Sequence, residues 1–277
     1  MIRRMQPGDL PAALKLTRAE QWSHRLEDWQ FHYGLGQGWA EYGDDGALLG
    51  TATWWAYGER FGTIGLVLVD RSQQGKGIGR RLMDTLIDDA GSRSLQLIAT
   101  TAGLKLYKQC GFREAGIIEQ RQGIVSPRPA LPPPDDATVR AVTANDLETL
   151  VCLDAAAFGA PRRQVISELL VEASGVVAAV NGRPTGFAMA RQAGRGVLIG
   201  PLVADNESTA IVLVSHLLST ITGFARIDIP AEAQQLARWL DGVGLVSVDQ
   251  VTVMRRSAWP NAQASMRTLG LASQALG

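Results

Sequence analysis

The stretch IRRMQPGDL, residues 2–10, returns beyond a proline-rich segment as VRAVTANDL, residues 139–147. Both read as a short strand followed by a helix that opens at an aspartate. A chain whose text occurs twice is built from two copies of one unit, and each copy tests a reading of the other. The hairpin pattern WAEYGDDGALLGTA (39–52) is answered by VAAVNGRPTGFAMA (177–190): apolar strand, glycine-containing turn, apolar strand. Further on, IGLVLVDR (64–71) is answered by IGPLVADN (199–206), and LYKQCGF (106–112) by WLDGVGL (239–245). Each half predicts strand, helices, a meander of strands, helix, strand, helix, strand. That order is an α+β fold with a central mixed sheet flanked by helices.

Between the copies, QGIVSPRPALPPPDDA (122–137) holds five prolines, which block regular helix and stiffen the chain toward an extended form. The predicted divisions are a first domain at 1–124, a linker at 125–137, a second domain at 138–257 and a weakly helical tail at 258–277. A length of 277 residues lets each half bury its own core. Lys plus Arg equals Asp plus Glu at 27 each, so the broad attraction that nucleic-acid and anionic-membrane binders depend on is missing, and neither partner is expected. Cys110 and Cys152 have no CxxC spacing, and His24, His32 and His216 make no HExxH pair, so no metal is expected. No window approaches the roughly 20 apolar residues of a membrane span, and MIRRMQPGDL lacks a signal-peptide core. A cytoplasmic protein is the expectation.

In VDRSQQGKGIGRRLM (69–83), three glycines stand at one strand-to-helix corner. Upstream, TIGLVLVD has the continuous apolar character of a central strand. Downstream, Ile78, Leu82, Met83, Leu86, Ile87 and Ala90 recur at helical spacing. Gly75, Gly77 and Gly79 therefore border a helix N-terminus, where orphan N–H groups and the positive dipole end suit a phosphate. A bland reading is that the glycines only make the turn and that Lys76, Arg80 and Arg81 are a solvated face. The second copy reads ADNESTAIVLVSHLL, which aligns Thr209 with Gln74, Val212 with Gly77 and Val214 with Gly79. It makes the corresponding corner without a glycine, which favours a ligand as their purpose.

Gln74-Gly75-Lys76-Gly77-Ile78-Gly79 fits the [R/Q]xxGx[G/A] signature, and ATTAGLKLYKQCGF (99–112) follows it with an LYxxxGF pattern. On these two motifs the first half resembles the GNAT superfamily of acyl-CoA-dependent N-acetyltransferases, and the whole resembles tandem members with a degenerate second GNAT-like domain. The resemblance implies acetyl-CoA as co-substrate, with the amides around Gly75, Gly77, Gly79 and Arg80 on its pyrophosphate and Gln74, Lys76 and Ile78 in the same loop. It implies that the strand edge at Val67, Leu68 and Val69 pairs with the pantetheine amides. It also implies that Tyr107 is the general acid toward the departing thiolate, a role that a phenol near pKa 10 suits. Leu240 stands opposite Tyr107 in the second copy and cannot donate a proton.

The resemblance implies direct attack of a primary amine on the thioester in a ternary complex. Base candidates come from QWSHRLEDWQFHY (21–33): His24, Glu27 and Asp28. Trp22, Trp29, Trp54 and Trp55 are read around the acceptor cleft, with core packing expected for at least two of them. Asp228, in the second copy, is a further residue read toward that cleft. The acceptor class is a small-molecule or peptide amine, and a homodimer is a compatible assembly. The rival from another class is a non-catalytic acyl-CoA sensor, which binds the thioester and releases no thiol.

Overall fold

The computed structural model describes residues 1–259 and 265–277, and these divide into two compact units. The first holds Met1–Ala115 with Val253–Trp259 and Leu276; the second holds Gly116–Thr252 with residues 265–275 and 277. The elements of the first half are β1 (Ile2–Arg4), α1 (Leu10–Ala19), α2 (Leu26–Leu35), β2 (Gln37–Tyr42), β3 (Leu48–Tyr57), β4 (Phe61–Val69), α3 (Ile78–Ala90), β5 (Ser94–Ala99), α4 (Leu104–Gln109) and β6 (Arg113–Val125). The second half repeats them as β7 (Ala137–Ala141), α5 (Leu147–Phe158), α6 (Arg163–Glu172), β8 (Ser174–Val180), β9 (Arg183–Ala193), β10 (Gly196–Ala204), α7 (Glu207–Leu218), β11 (Gly223–Pro230), α8 (Gln234–Gly242) and β12 (Val246–Arg256). No described helix is long and apolar enough to cross a membrane.

The repeat extends to side chains. In the first unit Arg3 grips both carboxylate oxygens of Asp9, which also accepts the Gln6 amide. In the second, Arg140 grips Asp146, which accepts the amide and hydroxyl of Thr143. Each aspartate ties a strand to the start of the following helix.

Within the first unit the strands run β1-β2-β3-β4-β5, antiparallel except for the β4–β5 pair. A parallel pair needs a crossover, and α3 supplies it. Ile78, Leu82, Met83, Leu86 and Ala90 of α3 are buried on the sheet with Trp54, Ile64, Leu95 and Phe112. Burial of each large side chain there contributes about 1.5–3 kcal/mol. Gly91, at φ 66°, ends the helix in the left-handed region. The second unit has its own core beneath α7 and α8, built on Ile199, Leu213, Val214, Ile227, Leu236 and Leu240.

Two boundaries differ from the sequence expectation. Strand β6 packs with the second unit from Gly116 onward, because Ile118–Val125 pair antiparallel with Gly223–Pro230 of β11. Conversely, the end of β12 belongs to the first unit, where Arg255 Nε donates to Gln96 Oε1 at 2.8 Å. The tail is also not helical in its described part. Residues Arg267–Gly270 form a strand, β13, antiparallel to Leu202–Ala204 of β10.

Candidate active site

Strand β4 pairs with β5 only from Phe61 to Ile64, and no later residue of β4 is in register with β5. At this point Leu66 takes φ 52° and the β3–β4 register slips between Thr51 and Thr53. The two parallel strands thus part in mid-sheet. Leu66 to Val69 face the gap with an edge that β5 leaves unpaired.

Residues 70–77 then lead from β4 into α3. Asp70 Oδ1 accepts the Ser72 amide, and the Gln74 side chain donates back to the Val69 carbonyl at 3.3 Å, which pins the corner to the strand end. Gly75 and Gly77 both have φ 78°, a conformation that residues with a Cβ adopt at a cost. Gly79 is glycine for a different reason: a Cβ there would sit 3.2 Å from Leu106 Cδ2 of α4. Among the described residues, the amides of Gly75, Lys76, Gly77, Ile78, Gly79 and Arg80 have no protein acceptor. Left-handed glycines at alternate positions beside a helix start turn neighbouring N–H groups toward a common side that suits an anion, and the helix dipole adds to it.

The basic side chains around this corner are mostly committed elsewhere. Arg81 pairs with Glu41 and also donates to the Lys76 carbonyl at 3.1 Å, so it braces the loop. Arg80 pairs with Asp84, and Lys76 Nζ donates to Gln73. The anion-binding capacity of the corner lies in backbone rather than in cations.

Tyr107 lies on α4, one residue after the Leu106 whose side chain leaves no room for a Cβ at Gly79. Gly103 makes room for its ring, since a Cβ there would come 2.6 Å from Cε2. Burial, with a smaller contribution from the Cys110 thiol, pushes the Tyr107 phenol above its ordinary range, so it holds its proton at neutral pH. Burial likewise raises the Cys110 thiol, a small core residue packed with Phe112.

Among the base candidates, Asp28 is buried and its carboxylate is taken by the Arg25 amide and guanidinium at the start of α2. That capping role removes it as a proton acceptor. Glu27 is exposed in the first turn of the same helix. His24 is half-buried, its ring 5.8 Å from Trp22 and 6.2 Å from His32.

Of the tryptophans, Trp22 is half-buried beside His24, whereas Trp29 is 1% exposed and donates to Thr17 within the α1–α2 packing. Trp54 points to the α3 side of the sheet, where its indole donates to Asp89 at 2.8 Å. Trp55 points to the opposite side and donates to the His32 carbonyl at 2.9 Å. Trp29 and Trp54 are therefore core residues and not pocket walls. Asp228 is also withdrawn from the cleft reading: it is 1% exposed in the second unit, with both oxygens held by Arg226.

The second unit repeats the parting of strands, because β10 pairs with β11 only over Val197–Ile199. Its gap is occupied. Strand β13 bonds to β10 there, and the Leu271 amide donates to the Asp228 carbonyl of β11 at 2.9 Å. A Cβ on Gly270 would lie 2.9 Å from Leu202 Cβ and 3.5 Å from Ile227 Cγ1, so the inserted strand is glycine where both neighbours close in. The corner is different too. Helix α7 begins directly after residues 205–206, and its N-cap is Asn206, whose side chain accepts the Thr209 amide at 2.9 Å. Asn206 is thus the counterpart of Gly77, while Val212 and Val214 lie inside the helix and do not correspond to the glycines. The second corner needs no glycine because it is short and capped by a side chain, and that cap occupies a donor that the first corner leaves free.

Family models match both halves: one described as acetyltransferase (GNAT) family over residues 8–112, and one described as acetyltransferase (GNAT) domain over residues 150–267. The uncharacterized N-acetyltransferase YitH of Bacillus subtilis is 29% identical over 198 residues, covering 70% of each chain. A Pyrococcus horikoshii protein provisionally described as an acetyltransferase shares the fold with a TM-score of 0.80 at 20% identity, over 100% of this chain and 95% of its own. A tandem GNAT protein of the clavulanic acid biosynthesis pathway matches with a TM-score of 0.67 at 13% identity, over 94% and 99% of the two chains. With a GNAT model on each copy of the repeat and an N-acetyltransferase relative spanning most of the chain, the protein belongs to the GNAT acetyltransferases as a tandem-domain N-acyltransferase.

Proposed function

We propose that the protein is an acetyl-CoA-dependent N-acetyltransferase whose first unit alone performs the chemistry, passing the acetyl group to a primary amine by direct attack. The observation that carries this is the run of acceptor-free amides from Gly75 to Arg80 lying between an unpaired strand edge and Tyr107. A diphosphate suits the amides, and an extended chain carrying two amide groups suits the edge. A thioester at the end of that chain then lies along β4.

In this reading the acceptor nitrogen attacks the thioester carbonyl, the C–N bond forms and the C–S bond breaks. The proton lost by the amine goes to a base, and His24, half-buried beside Trp22, is the candidate. Tyr107 donates its hydroxyl proton toward the sulfur as negative charge grows there. A phenol held above its usual range acts first as a hydrogen-bond donor and completes transfer only as the thiolate leaves. The acceptor is a small-molecule or peptide amine approaching from the side of the sheet that carries α1, α2, Trp22 and His24.

The test is thiol release from acetyl-CoA across a panel of small amines, amino acids and peptides. Release that depends on an amine, with the acetyl group recovered on nitrogen, supports the reading. Acetyl-CoA binding without release for any amine favours the sensor instead.

A further inference from the structure

Strand β3 carries two threonines that the proposed chemistry does not use, Thr51 and Thr53, exposed by only 0% and 2%. The Thr51 hydroxyl donates to the carbonyl of Leu66 at 2.8 Å. Leu66 is the residue at φ 52°, a region that side-chain-bearing residues occupy only when their surroundings hold them there. It sits in a bulge. Register passes from Thr51↔Leu68 to Thr53↔Gly65, so β4 spends one residue more than β3, and neither Leu66 nor Val67 is paired with β3.

The repeat again serves as the control. Strands β9 and β10 contain the same extra residue, between Ala188↔Leu202 and Ala190↔Ile199. Counting from the matching pairs Gly50↔Val69 and Gly186↔Ala204, Thr51 corresponds to Phe187 and Thr53 to Met189, both fully buried. The second unit makes its bulge one pair further along, with Gly200 and Pro201 and with no hydroxyl at the matching positions of β9. The edge beyond it differs as well: β13 fills the gap in the second unit, whereas in the first β5 leaves the edge unpaired.

A trans peptide is planar, with its carbonyl and N–H pointing in opposite directions. Fixing the Leu66 carbonyl toward β3 therefore aims the Val67 N–H away from β3, toward the gap. We propose that Thr51 is a positioning residue for acyl-CoA, holding the Leu66–Val67 peptide so that the strand edge presents its groups to the acyl-pantetheine arm. This rests on the acyl-CoA reading above. Thr51 touches no substrate and acts through the backbone it holds.

The experiment compares full-length wild type with Thr51→Val, which keeps the shape and drops the hydroxyl, and Thr51→Ser, which keeps the hydroxyl. Calorimetric Kd for acetyl-CoA and KM for each substrate are measured. Thr51→Val is expected to raise Kd and KM for acetyl-CoA about tenfold, the effect of leaving one buried carbonyl unpaired, with the acceptor KM unchanged. Thr51→Ser is expected to bind like wild type. Should Thr51→Val fail to fold, Thr51→Ala reads the same loss. A folded Val or Ala variant that binds acetyl-CoA like wild type overturns the inference, as does an equal loss in Thr51→Ser. Wild type that binds no acetyl-CoA overturns the underlying reading instead.

Discussion

Replacing Gly77 isolates the backbone of the glycine corner, because no side chain is lost. At φ 78° a Cβ costs about 1–2 kcal/mol. The added carbon would lie 3.3 Å from Arg81 Nη1, the end of a flexible side chain that can shift by a few tenths of an ångström, so conformation and not crowding sets the effect. In the free protein the substituted loop can relax to negative φ. Ligand binding must then restore the left-handed turn, and the penalty appears in the affinity. For Gly77→Ala that is a rise in acetyl-CoA Kd of about tenfold, from the same 1–2 kcal/mol. Asparagine tolerates the left-handed region, so Gly77→Asn should lose no more than about threefold. A β-branched residue fits worst, and Gly77→Val should lose on the order of a hundredfold or more. Isothermal titration of the three variants reads the series directly. Equal losses for Ala and Asn, or normal binding by Val, would refute the claim that the left-handed turn aims the amides at a ligand.

Three further outcomes are expected. Tyr107→Phe should lower kcat about a hundredfold while acetyl-CoA Kd stays put; because burial raises the phenol, wild-type kcat should show no alkaline fall from this group below about pH 10. His24→Gln should lower kcat/KM at least about tenfold while acetyl-CoA Kd stays put, and a variant as active as wild type removes His24 as the base. Asp146→Asn tests the paired caps. The Arg140 guanidinium holds the Asp146 carboxyl well below the usual carboxylate range, so its contribution to stability is present above about pH 4 and is lost as pH falls through the folded pKa. The variant should unfold about 1 kcal/mol more easily at pH 7, and its deficit in urea titrations should shrink below pH ~4; a deficit independent of pH would contradict the assignment.

Much of the fold could be read from the sequence because its signals are local and occur twice. Apolar periodicity marks α3, glycine-containing turns mark the hairpins, and an aspartate after each first strand marks the cap that both Asp9 and Asp146 make. The glycine corner was legible for the same reason. Its counterpart was misaligned because the capping signal Asn206 starts α7 several residues earlier than matching to the glycines implies. Trp54 and Trp55 are adjacent on a strand, so period-two alternation already forbids both from facing one cleft; which of them meets Asp89 is settled by the packing of α3, where Trp54 donates to it. Strand β13 carries no comparable signal. RTLG has neither the length nor the alternation of a strand, and it is ordered by the gap that β10 and β11 leave open. The exchange of β6 and the end of β12 between units is a choice of pairing partner, which no single strand's composition encodes.

The asymmetry between the two copies is the centre of the account, and the number of acetyl-CoA molecules bound per chain tests it most directly. The first unit offers acceptor-free amides and an unpaired edge, whereas the second caps its helix with Asn206 and fills its gap with β13. Titration calorimetry on the full-length chain should give one site, weakened on the order of a hundredfold or more by Gly77→Val. Two sites, or one site whose affinity Gly77→Val leaves unchanged, would contradict it.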